Sequence, residues 1–175
     1  MKPRIYIIEG PSKIGKSSQS FLLSQKIEQN QIFRMDSVLT VEQVADFQVK
    51  IKEWLDLDPK NTAILTGSIA FTIVIKDMSA VSFGKSYLEY DDELRDFLEM
   101  VRIYGCKAFL LKPNKYDFLA TRRVDSLNIV HEDAIYKGLE HFVNYYSNAN
   151  FKWTIIPVFH HDSMLQLQKK IQSYI

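Results

Sequence analysis

The apolar run Ile5-Tyr6-Ile7-Ile8 leads through Glu9 into Gly10-Pro11-Ser12-Lys13-Ile14-Gly15-Lys16-Ser17, and no other stretch of the 175 residues constrains the fold as tightly. Four apolar residues without polar alternation suit a strand buried on both faces, as a central strand of a parallel sheet is. Ser17 to Gln29 then carries Phe21, Leu22, Leu23 and Ile27, a spacing that predicts a helix packed on that sheet. Between them lies a complete G-x-x-x-x-G-K-[ST] turn, so strand, turn and helix occur in the order of a phosphate-binding loop. An anion held there would meet a helix N-terminus, whose unpaired N–H groups and dipole favour negative charge. Gly10 and Gly15 let the backbone wrap closely, because a Cβ at either position would crowd phosphates or forbid the dihedrals required.

The chemistry of such a turn sets the expected roles. Lys16 should reach the β and γ phosphates of ATP, and the Ser17 hydroxyl should ligate Mg²⁺. Gly10, Ser12, Lys13, Ile14, Gly15, Lys16, Ser17 and Ser18 form the expected nucleotide-binding segment. Ser12, Lys13 and Ser18 serve equally well as solvated loop residues. Glu9 either orients water on Mg²⁺ or only ends the strand.

Composition bounds the rest. A chain of 175 residues is expected to form one domain, residues 1–175, with a core that needs no staples. A net charge of +1 gives no bulk electrostatic case for nucleic acid or membrane, so any such contact would be a local patch. The single cysteine, Cys106, excludes an internal disulfide and a cysteine zinc cluster, fits a reducing compartment, and reads as inert core. No secretory signal and no stretch approaching about 18 uncharged apolar residues occur, so a soluble, cytoplasmic chain without membrane partners is expected.

Along the chain, Gln31 to Met35 is a second strand ending at Asp36, and Thr40 to Leu55 is a helix with Val44, Phe47, Ile51, Trp54 and Leu55 as its apolar stripe. Asp58-Pro59 closes that helix, and Thr62 to Thr66 is a buried strand. Ile69 to Lys76 reads as helix, and Asp77 to Tyr90 as a long functional loop. Asp91 to Tyr104 is a helix with an acidic first turn, carrying Leu94, Phe97, Leu98 and Val101 and stopped by Gly105. Cys106 to Leu111 is a strand, residues 113–123 a short helix, 131–147 a longer one, Trp153 to Val158 the last strand and Ser163 to Ile175 the last helix. In that last helix Met164, Leu167, Ile171 and Ile175 are expected to point inward. The alternation specifies a three-layer α/β/α domain around about five parallel strands with right-handed crossovers.

Ile8-Glu9-Gly10 entering the loop, together with Leu110-Leu111-Lys112-Pro113 and Arg123 ten residues on, resembles the P-loop nucleoside and nucleotide kinases, most nearly the thymidylate kinase and deoxynucleoside kinase group. The resemblance implies a P-loop NTPase fold with a short helical lid over about residues 113–131. It also implies that Arg122 and Arg123 close on the transferring phosphate as catalytic residues beside Lys16. Glu132 falls where an acidic residue commonly follows the lid, and the turn after the last strand lies beside the donor base. Two departures stand out. The family's Asp-Arg pair after the third strand reads Thr66-Gly67 here, and Leu119 replaces the first lid arginine. No apolar strand ends in the aspartate of a Walker B motif, which leaves Mg²⁺ to Ser17, phosphates and water.

Arg34 and Asp36, at the sheet edge, are the candidate acceptor residues. Asp36 would be the catalytic base for a sugar hydroxyl, whereas a monophosphate acceptor needs the Arg34 charge more than a base. Asp36 also suits a helix N-cap. Phe71, Phe83, Tyr87 and Tyr90 are either a base sandwich or core. His160-His161-Asp162 reads as a solvated turn capping the last helix rather than a metal site, since no third ligand is suitably spaced. The leading expectation is ATP-dependent phosphorylation of a deoxynucleoside monophosphate. A deoxynucleoside kinase, a kinase of a hydroxyl on a modified base (free or in DNA, the one route to a nucleic-acid partner), and a non-kinase ATPase switch stay open, as does homodimerisation.

Overall fold

The computed structural model describes residues 2–10, 14–27, 31–35, 41–66, 91–114, 153–159 and 161–175. Five strands, β1 (Ile5–Glu9), β2 (Ile32–Met35), β3 (Thr62–Thr66), β4 (Cys106–Pro113) and β5 (Trp153–Val158), pair in the order β2-β3-β1-β4-β5. All four pairings are parallel. Among the described residues, four helices accompany them: α1 (Lys16–Ser24), α2 (Val41–Leu57), α3 (Asp91–Tyr104) and α4 (Met164–Gln172). The arrangement is the expected three-layer α/β/α fold around a five-stranded parallel sheet.

The apolar run Ile5 to Ile8 does take the central place, flanked by β3 and β4 and buried along its whole length. Side chains alternate across the sheet with period two. Tyr6, Ile8, Ile64, Phe109, Leu111, Ile156 and Val158 share one core with Leu23 of α1 and Leu167 and Ile171 of α4. The intervening positions, among them Ile5, Ile7, Leu65 and Leu110, are buried toward the other layer, where α2 packs against α3. Two glutamines bolt α1 to α4: Gln19 Nε2 donates to Met164 O at 2.9 Å and Gln168 Nε2 to Leu22 O at 3.1 Å.

Several expectations need correction. The first helix ends at Ser24 and tightens through i→i−3 bonds, Lys26 N to Leu23 O and Ile27 N to Ser24 O, instead of continuing to Gln29. Its inward arc is Gln19, Ser20, Leu23 and Ser24, so Phe21 lies off that arc and is 50% exposed. In α4 only Leu167 and Ile171 face inward. Met164 and Ile175 are exposed, the latter because it follows the helix end at Gln172. Cys106 is half-buried at the start of β4 rather than deep core, although burial still pushes its thiol pKa up. Strand β4 also runs two residues past Leu111, because Lys112 and Pro113 pair with Pro157 and Val158.

Candidate nucleotide-binding site

Strand β1 is followed by α1 on one face of the sheet, whereas β3 is followed by α3 on the other. The topological switch point of the sheet therefore lies at the carboxyl ends of β1 and β3, the place where open α/β sheets bind ligands. Glu9 and Thr66 end those two strands and are both buried. Gly10 continues from Glu9, and the loop enters α1 with Gly15 as N-cap.

The two loop glycines are required for different reasons. Gly10 has φ +150°, and a Cβ there would lie 2.8 Å from Leu111 O and 3.1 Å from Ile14 Cγ2, so β4 itself excludes a side chain. Gly15 has φ +101° with nothing within 4 Å of a Cβ, so its backbone angle and not crowding demands glycine. No side chain caps α1 at Gly15, and the first turn carries no acidic residue. The positive end of such a helix favours an anion.

Lys16 begins α1, and its Nζ donates to Gly10 O at 2.7 Å, reaching back across the loop. Ser17 is exposed in the first turn, Ser18 half-buried, and Ile14 is buried in the core shared by α1 and α4. The structure thus brings Gly10, Ile14, Gly15, Lys16, Ser17 and Ser18 to one end of the sheet. Arg34 is exposed on the outer strand β2, its guanidinium 5.7 Å from the centroid of the Phe21 ring on α1. Ser12, Lys13, Asp36, the 77–90 loop, the lid with Arg122 and Arg123, Glu132 and His160 lie outside the described residues. Among the described residues, no three histidine, cysteine or acidic side chains gather as a metal site, and no helix is long and apolar enough to cross a membrane.

The turn after β5 differs from the solvated cap expected of it. Ser163 is the cap, accepting from Gln166 N while the Gln166 side chain accepts from Ser163 N. Asp162 turns inward, 7% exposed, and takes hydrogen bonds from Phe159 N at 2.8 Å and Lys170 Nζ at 2.6 Å. Lys170 also sits 4.9 Å from the Phe159 ring centroid, and Phe159 stacks on His161 at 5.5 Å. An aromatic pair thus follows β5 at the carboxyl end of the sheet. Sequence reasoning also missed Leu111, whose part in the site depends on the β1–β4 register.

No protein-family model and no curated protein matches the chain. Solved structures do match. Polyphosphate kinase 2 from Arthrobacter aurescens TC1 superposes with a TM-score of 0.61 at 12% identity, over 99% of this chain and 68% of that one. The thymidylate kinase of Candida albicans gives 0.59 at 15% identity, over 99% and 91% of the two chains. The fold is that of the P-loop kinases. The thymidylate kinase of Ehrlichia chaffeensis agrees, with 0.59 at 13% identity over 98% of both chains. Gly15, Lys16 and Ser17 stand at the start of the first helix, whose N-terminal amides suit an anion.

Proposed function

We propose that this chain is an ATP-dependent phosphotransferase whose acceptor is a deoxynucleoside monophosphate, as in the thymidylate kinases that share its fold. The observation that carries the reading is the loop itself: a helix N-terminus with glycine as its N-cap at the switch point of the sheet, with Lys16 reaching back to Gly10. In this reading the γ-phosphoryl group leaves ADP and bonds to an acceptor phosphate oxygen. Lys16, Arg122 and Arg123 place positive charge on the oxygens that gather it in the transition state. Arg34 and Asp36 take the acceptor end. Ser17, exposed beside the uncapped amides, fits an Mg²⁺ ligand, and the ion would add positive charge on the phosphate oxygens.

The test is incubation with ATP, Mg²⁺ and a mixture of nucleosides and nucleoside monophosphates, read by mass spectrometry. A diphosphate product from a deoxynucleoside monophosphate is the expected result. A monophosphate made from a nucleoside would reassign the acceptor and make Asp36 the base. Stabilisation by ATP with no phosphorylated product in any mixture would replace the kinase by an ATPase switch.

A further inference from the structure

Gly10 is clasped on three sides. Leu111 O, Leu111 Cβ and Ile14 Cγ2 would stand 2.8, 3.2 and 3.1 Å from a Cβ at this position, and the Gly10 carbonyl receives Lys16 Nζ at 2.7 Å. Ile14 itself is 6% exposed and belongs to the same apolar core as Leu111, Val158 and Leu167. Among the described residues of the loop, Ile14 is the side chain that joins the packing of β4, β5 and α4. That side chain immediately precedes the N-cap Gly15 and the lysine. The loop motif leaves the identity of residue 14 open, yet a polar residue there would lose the tie to the core.

We infer that Ile14, seated against Gly10 and Leu111, is the positioning residue of the phosphate loop. It holds the Gly10 carbonyl, and through it the Lys16 ammonium and the amides entering α1, in their binding arrangement before a ligand arrives. Binding then spends little on ordering the loop. Deleting the Ile14 side chain leaves a cavity beside Gly10, into which the loop relaxes. The inference rests on the loop being a phosphate site, and the experiment separates the two.

The folded protein, Ile14→Ala, Ile14→Val and the control Ile171→Ala are titrated calorimetrically with inorganic tripolyphosphate and with ATP, each with Mg²⁺. Ile171 lies in the same core, in the last turn of α4. Ile14→Ala is expected to weaken both ligands at least about tenfold and Ile14→Val about twofold, while Ile171→Ala binds like the parent despite its lower stability. In turnover, the loss falls on KM for ATP more than on kcat. If Ile14→Ala fails to fold, Ile14→Val decides by the same comparison. Parental affinity in the Ile14 variants, or an equal loss in Ile171→Ala, overturns the positioning role alone. A parent that binds neither ligand overturns the phosphate site as well.

Discussion

Lys16 Nζ bonds the carbonyl of Gly10 at 2.7 Å, so the loop's lysine closes its own turn from within. Its cost of removal is borne by the ligand more than by the fold, since the side chain is only half-buried. Lys16→Ala should keep the parent's melting temperature within a few degrees but lose the ATP-dependent rise in it, as thermal denaturation with and without ATP and Mg²⁺ would show. A preserved rise would mean that Lys16 does not hold the phosphates.

The two loop glycines should respond differently to alanine. Gly10→Ala drives a Cβ against the Leu111 carbonyl and should cost about 1–3 kcal/mol or more in urea unfolding. Gly15→Ala meets open space and should cost about 1–2 kcal/mol, from backbone angle alone. The larger loss at Gly15 would contradict the packing of β4 on the loop.

At the amino-terminal end of the sheet, Arg4 joins three elements. Its guanidinium donates to Asp58 O at 2.6 Å, Asn61 O at 3.0 Å and Leu55 O, and lies 5.5 Å from the Tyr104 ring centroid. Arg4→Ala strands these carbonyls and should cost about 2–4 kcal/mol by urea unfolding. ATP affinity, measured on the folded variant, should not change.

Tyr104 donates to Asp56 Oδ1 at 2.6 Å. Burial first, and then the hydrogen bond to the Asp56 carboxylate, push its pKa up from 10.0 to about 12. A raised folded pKa means stability that is intact below pH 10 and lost as the pH climbs to about 12. Tyr104→Phe should be less stable at neutral pH, and its deficit should shrink across that window in unfolding measured at stepped pH.

Asp162 titrates at the other extreme. Burial alone would raise its pKa, but the hydrogen bonds from Lys170 and Phe159 N, with the charges of Lys170 and His161, hold it below the ordinary 3.8. Its contribution is therefore present above pH 3.8 and lost as the pH falls toward the lowered folded value. Asp162→Asn should melt below the parent at pH 7 and approach it under strong acid.

Much of this was legible from the chain. The unalternating Ile5 to Ile8 run marked the central strand because only burial on both faces tolerates such a run. Local backbone demands likewise placed Gly15, Lys16 and Ser17 at a helix start. The helical stripe misled at Phe21, since apolar character does not say which arc of a helix meets the sheet, and Gln19 and Ser20 occupy that arc. Asp162 misled for a similar reason: a charged residue in a turn reads as solvated until its partner Lys170, eight residues on in the following helix, is known.

By itself, the order of residues determined a strand, a glycine turn and a helix, because dihedral limits and side-chain periodicity act within a few positions of the chain. Tertiary structure decided that β4 stands beside β1, and hence that Leu111 bars a side chain at Gly10 and that Ile14 anchors the loop. Register between strands about a hundred residues apart is set by how whole layers fill space. No local pattern encodes it.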